Sequence, residues 1–181
     1  MRLTLTSEEF LAAWLLRRGL EPLRTDCRIM REDGIDLPGL ERTAMEAWFS
    51  RQLHEAPAWM LAPVDISAQS RLTLLPDGTG HVTLPPGIVR VLSVEMSGWN
   101  RTAFVVSQTD HPRYAAQLNP FSRGGTNDPV AVHTAEGSLL LYTPAKDGAI
   151  TRLEAICEAT DGIYTFDSSL LDTIPKPEFL P

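Results

Sequence analysis

The run Ile88-Val89-Arg90-Val91-Leu92-Ser93-Val94-Glu95-Met96 is rich in β-branched residues and alternates along its length. Ile88, Leu92, Val94 and Met96 fall on one face, Val89, Val91, Ser93 and Glu95 on the other. Both faces are apolar at its start, which is the pattern of a strand covered on two sides. A strand of this kind needs neighbours, so the sequence around it is expected to form a sheet.

Those neighbours can be read outward from it. On the N-terminal side, Arg71 to Leu75 and His81 to Leu84 flank Pro76-Asp77-Gly78-Thr79-Gly80, a hairpin loop by its chemistry. On the C-terminal side, Ala103 to Ser107 reads as a strand, and Asp110-His111-Pro112 opens a short helical segment through Leu118. Residues 119–128, Asn-Pro-Phe-Ser-Arg-Gly-Gly-Thr-Asn-Asp, read as a long mobile loop. Val130 to His133 and Ser138 to Tyr142 form a second hairpin around residues 134–137. Thr151, Leu153, Ala155 and Cys157 line one face of a last strand, which makes Cys157 a buried small residue. From Asp167 onward, with Pro175, Pro177 and Pro181, the chain is expected to lie extended or to form at most one short helix.

The first 57 residues have a different texture. Thr6 and Glu9 form a capping box, with Leu5 and Phe10 placed for the hydrophobic staple across it. Phe10, Leu11, Trp14 and Leu15 form one stripe, and Gly19 supplies a left-handed cap, giving a helix over 7–18. A polar stretch with an Asp33-Gly34 turn follows, and then a second helix capped by Asp36, with Pro38 in its first turn and Pro57 as its stop. Trp14 of the first helix and Trp48 and Phe49 of the second read as core residues rather than ligand contacts.

The expectation is therefore an α+β chain of one domain over 1–181, divided into a helical part (1–57), a β-rich part (58–160) and an extended tail (161–181). Two N-terminal helices would pack on a small, mostly antiparallel β-sandwich or open barrel of about seven strands. A length of 181 residues suits one core, and 43% hydrophobic with 22% charged residues is ordinary for a globular protein.

Composition excludes several functions. A net charge of -7 disfavours a nucleic-acid ligand, because phosphate binding rests on clustered Lys and Arg, whereas Arg17, Arg18, Arg24, Arg28 and Arg31 are interleaved with Glu21, Asp26, Glu32 and Asp33. The same charge suits a passage through which DNA slides without sticking. Cys27 and Cys157 are too few for a disulfide framework and read as free thiols. The N-terminal run passes into Glu8-Glu9 without the apolar stretch of a signal peptide, and no segment approaches the ~20 apolar residues of a membrane span. The expected location is the cytoplasm.

The search for chemistry finds no constellation. There is no G-x-S-x-G turn, no Cys-x-x-Cys and no His-Glu-x-x-His, and His54, His81, His111 and His133 are widely separated. Around Gly34, an EF-hand alignment would put Ile29, Arg31 and Leu40 at liganding positions, so calcium binding fails. Gly78, Gly80, Gly124 and Gly125 serve turns, with no Lys-Ser or Lys-Thr helix after them. Glu95, Glu154 and Glu158 sit on expected strands as solvent-facing residues. No catalytic, cofactor-binding or metal-binding residue is assigned, and the expectation is a protein that is not an enzyme.

One resemblance adds to this reading. The runs Leu84-Pro85-Pro86-Gly87-Ile88-Val89-Arg90-Val91, Ser97-Gly98-Trp99, Tyr114-Ala115-Ala116-Gln117 with Ser122-Arg123-Gly124, Pro129-Val130-Ala131 and Leu139-Leu140-Leu141-Tyr142 resemble bacteriophage head-to-tail adaptor proteins. The likeness is to the tail tubular protein A group and related prophage proteins, covers roughly residues 84–144, and departs at Thr143, between Tyr142 and Pro144. It implies a structural component of the virion that docks between portal and tail proteins and self-associates into a ring when assembled. Trp99, Arg101, Tyr114, Phe121 and Arg123 are the candidate interface residues, because aromatic and Arg side chains dominate interface energetics. The alternative is a small-ligand or carbohydrate-binding β module using Trp99, Tyr114 and the loop around Asn127 and Asp128 as a stacking platform.

Overall fold

The computed structural model describes residues 1–20, 36–107, 110–134 and 136–176. The Cys27 thiol, Arg24, Arg28 and Arg31 with their acidic neighbours, the Asp33-Gly34 turn and the terminal Pro177 and Pro181 lie outside the described residues. The chain is α+β, as its pattern implies, with helices and mostly antiparallel strands. Its contacts define two compact units, Met1–Ala62 with Glu158–Pro181, and Pro63–Cys157.

The first unit is built on α1 (Ser7–Arg17) and α2 (Leu37–Glu55). The capping box forms as expected: the Thr6 hydroxyl accepts the Glu9 N–H, and the Glu9 carboxylate accepts the Thr6 N–H. At the other end, Gly19 takes a φ of +74° while Leu20 N–H donates to Leu15 C=O at 2.9 Å and Gly19 N–H to Leu16 C=O at 3.1 Å, the paired bonds of a Schellman stop. Asp36 caps α2 through the Gly39 N–H.

These helices pack on a two-stranded antiparallel ribbon of β1 (Arg2–Thr6) and β10 (Ile163–Asp167), in register from Arg2 opposite Asp167 to Thr6 opposite Ile163. Neither strand is among the sequence expectations. The tail from 161 onward, expected to lie extended, pairs with the N-terminus through β10, and the one short helix allowed after Asp167 is the 3-10 helix Ser168–Thr173. The reason is the aromatic core. Phe10 sits 4.9 Å from Tyr164 and 5.2 Å from Phe166 by ring centroids, and Phe49 stands edge-on to Tyr164 at 5.0 Å. Trp14, Trp48 and Phe49 are buried, as expected. Trp14 satisfies its indole N–H on Glu41 Oε2 at 2.7 Å, and Arg18 Nε pairs with the same carboxylate at 3.0 Å.

Among the described residues the second unit holds eight strands in two sheets. A three-stranded sheet runs β2 (Val64–Asp65), β9 (Ile150–Cys157), β5 (Ile88–Met96). A five-stranded sheet runs β3 (Arg71–Leu74), β4 (Gly80–Thr83), β8 (Ser138–Leu141), β7 (Val130–His133), β6 (Phe104–Val106), with β6 and β7 parallel and the other pairs antiparallel. Both expected hairpins, β3 to β4 and β7 to β8, are present. The sheets face one another across a core of Val82, Val94, Leu139, Leu141, Leu153 and Ala155, each with no exposed surface. Among the described residues no barrel closes; one antiparallel bridge, Val94 to Ala103, joins β5 to the β6 margin.

Three expectations change in this unit. β9, not β5, is the middle strand of its sheet. The alternation in β5 is broken by register shifts between Ile88 and Arg90, Val91 and Ser93, and Glu95 and Met96, so Val91 and Val94, on opposite faces of a regular strand, are both buried in the core. Cys157, at the end of β9, is half-buried and its thiol is pushed up by burial, which leaves it protonated at neutral pH and a poor nucleophile.

Candidate docking surface

The 119–128 loop follows α3 (Pro112–Leu118), whose entry is set by Pro112 in the first turn and by His111, which accepts the Arg113 N–H on Nδ1 at 3.1 Å. Read as mobile from its glycines and polar residues, the loop is instead tied down along its length. Phe121 N–H donates to Asn119 Oδ1 at 3.0 Å, and Ser122 Oγ donates back to Ala116 C=O at 2.6 Å. Arg123 donates from Nε to Gln117 C=O at 2.8 Å and from Nη1 to Tyr142 C=O at 3.3 Å, with its guanidinium 5.2 Å from the Tyr142 ring. Further along, Thr143 Oγ1 donates to Gly125 C=O at 3.2 Å and Asn100 N–H to Thr126 C=O at 2.9 Å. Gly124 is required by close approach: a Cβ there would run into the Asp128 backbone carbonyl.

On this framework Phe121 is 98% exposed and Leu118, one turn earlier, is 59% exposed. The end of the loop and the start of α3 carry a polar network. Asp128 holds Arg113 at 3.3 Å and Arg101 at 3.7 Å, Asn100 donates to Asn127, and the Arg113 guanidinium lies over the Phe104 ring at 4.4 Å.

The five candidate interface residues thus part company. Phe121 and Arg101 project into solvent, whereas Trp99 donates its indole N–H to Thr143 C=O at 2.9 Å and packs against the main core. Tyr114 packs with Val106, Val130 and Val132 in a smaller cluster, and Arg123 is the fastener of the loop. An open hollow of about 340 Å³ is lined by Trp99 with Glu95, Arg101 and Thr102, and Tyr114 does not line it. The sequence reading gave no role to Leu118 or to the buried Gln117, which is 3% exposed and donates its amide to Arg113 C=O, and named Asp128 only as part of the alternative ligand platform. Leu118 could have been found as an apolar residue at a helix end immediately before Asn-Pro.

Three titratable groups of this unit are shifted by their surroundings. The Tyr142 hydroxyl is raised by burial and then by Tyr114 beside it, His133 is lowered by burial, and the Asp77 carboxyl is lowered by the hydroxyl and N–H of Thr79. Among the described residues no three His, Cys, Asp or Glu side chains gather as a metal site, and no helix is long and apolar enough to cross a membrane. Compared with known proteins, the chain matches no protein-family model, no curated protein and no solved structure.

Proposed function

We propose that this chain is a structural adaptor of the phage or prophage head-to-tail kind, docking between portal and tail subunits and self-associating into a ring in that setting, without catalysis. The observation that carries the reading is Phe121: an almost wholly exposed aromatic side chain on a loop held by Arg123, Ser122 and Asn119. An aromatic anchor fixed before contact loses little conformational freedom on binding, which is how a small patch gains affinity. The exposed ion pairs of Arg101 and Arg113 with Asp128, which ends the same loop, suit the polar rim of such a patch. The net charge of -7 suits a wall past which DNA moves. The order of the Leu84 to Tyr142 motifs supports the same assignment.

Coexpression with the portal and tail proteins encoded beside it tests the proposal. The expected result is a co-purifying ring visible by electron microscopy, weakened at least tenfold in affinity by Phe121→Ser, a loss of about 1.4 kcal/mol or more. Failure of the wild-type chain to associate with either protein would overturn it.

A further inference from the structure

Three Asp-Gly pairs lie among the described residues: Asp77-Gly78, Asp147-Gly148 and Asp161-Gly162. Such a pair can react with itself, because the glycine nitrogen and the aspartate Cγ close a five-membered ring and no glycine side chain stands in the way. Whether it does so in a folded chain depends on where the pair falls in its turn. In the first two the aspartate is the third residue of the turn and the glycine the fourth. Gly78 N–H donates to Leu75 C=O at 3.0 Å and Gly148 N–H to Ala145 C=O at 3.0 Å, so in both the attacking nitrogen is the donor that closes the turn. Asp77 is held further, since its Oδ1 accepts the Thr79 N–H at 3.0 Å and the Thr79 hydroxyl at 2.7 Å.

Asp161-Gly162 is set one place earlier in its turn. That turn runs from Thr160 to Ile163 and is closed by Ile163 N–H on Thr160 C=O at 2.9 Å, which leaves Asp161 and Gly162 as its two central residues. Their φ values are +53° and +69°, the type I′ pattern, and Asp161 is the only residue other than glycine in the left-handed region among the described residues. Nothing among those residues bonds to the peptide that joins the two, neither at the Asp161 C=O nor at the Gly162 N–H, and the Asp161 side chain is exposed and unpaired. Turning this one peptide over converts type I′ into type II′, which keeps the closing bond and the positive φ of Asp161 and takes its ψ to about −120°. At that ψ the Gly162 nitrogen eclipses the Asp161 Cβ, the geometry in which the ring closes.

We propose that Asp161-Gly162 is a site of spontaneous isoaspartate formation in the folded protein. The Gly162 nitrogen attacks the Asp161 Cγ; the nitrogen gives up its proton and the carboxyl its hydroxyl, which leave together as water. The succinimide then takes a water back. Opening at the Cγ carbonyl restores aspartate, and opening at the main-chain carbonyl leaves Gly162 joined through Cγ, with the former main-chain carbonyl as the free carboxylate. No co-reactant besides water is needed. The product adds one methylene to the backbone immediately before β10, the strand that carries Tyr164 and Phe166 against Phe10. The site uses no residue of the Phe121 surface and holds whether or not the partner is a portal or tail protein.

The test ages the full chain at neutral pH and physiological temperature, locates isoaspartate by peptide mapping with isoaspartyl methyltransferase labelling, and repeats the ageing in urea. Mapping counts Asp33-Gly34 apart, and Asp161→Gly, which suits a central position of this turn, supplies the unlabelled blank. In the folded chain isoaspartate is expected to accumulate at Asp161 roughly fivefold or more faster than at Asp77 or Asp147, each of which must first break at least one hydrogen bond. In urea the three rates should converge. The proposal is overturned if Asp161 in the folded chain reacts no faster than Asp77 and Asp147, or if its lead survives in urea, where the flanking sequence and not the turn would account for it.

Discussion

Arg123 and Phe121 stand two residues apart and do opposite work. Arg123 joins Gln117 C=O to Tyr142 C=O and covers the Tyr142 ring, so Arg123→Ala leaves two carbonyls and an aromatic face without their partner. The expected cost is about 1–3 kcal/mol in urea denaturation, with faster amide exchange through 119–128. Arg123→Lys recovers only part of it, since an ammonium lacks the planar fork. Phe121→Ser should change stability by no more than about 0.5 kcal/mol, because the ring leaves solvent nowhere in the folded chain. A destabilised Phe121→Ser protein would mean that the ring supports the loop rather than projecting from it.

Titration separates two further groups. His133 is half-buried, and its Nε2 has no hydrogen-bond partner among the described residues; burial lowers its affinity for the proton. The unfolded chain then takes up that proton more readily, so this contribution is complete above the ordinary histidine range, near pH 6.5, and is lost as pH falls towards the lower folded value. Asp65 is lowered chiefly by the Ser67 N–H, Asp77 by the Thr79 hydroxyl, and Asp167 by the terminal ammonium of Met1. Their contribution is complete above the ordinary aspartate range, near pH 4, and is lost on further acidification. Stability measured against pH should therefore fall in two stages, and His133→Gln should remove the first while leaving the second.

Among the elements, what the sequence makes legible is whatever is closed by neighbours. The caps of α1 need only Thr6, Glu9 and Gly19, and the β3 to β4 hairpin needs only the turn between its strands, so both were readable. The ribbon of β1 and β10 joins residues more than 150 positions apart, and five residues such as Arg2–Thr6 carry no local mark of a strand beyond alternation. The irregularities of β5 were hidden for a related reason: they respond to Ile150–Cys157, which lie far along the chain. In the 119–128 segment, composition revealed a loop and singled out Phe121 and Arg123 as candidates, but not that Arg123 fastens it. That role depends on Tyr142 being brought alongside by β8. The ribbon offers a direct test, because Phe166 is fully buried against Phe10 and Phe49 at 5.2 and 5.8 Å. Phe166→Ala should cost about 3–5 kcal/mol by denaturant titration. A cost near 1 kcal/mol would mean that the helices hold together without the C-terminal strand.

The order of the chain through its two units sets a last expectation. Residues 63–157 form the second unit as one uninterrupted segment, whereas the first unit is assembled from sequence on both sides of it. The second unit's main core, from Ile66 to Ala155, draws on that segment alone. Its ends are neighbours as well, since Val64 pairs with Ala155 on β2 and β9, so excision severs the chain without stretching either terminus across the sheet. The segment 63–157 expressed alone should therefore unfold cooperatively and keep the Val94 to Ala103 bridge, seen as slow exchange of the Ala103 amide that donates to Val94 C=O at 2.8 Å. The first unit has no such independence: without 158–181, α1 and α2 lose Tyr164 and Phe166, the rings against which Phe10 and Phe49 pack, and a fragment ending at Ala62 should not fold. If the outer fragment folded and the inner one did not, the aromatic ribbon would be a late addition to a stable helical pair, and the β-rich segment would owe its order to the chain around it.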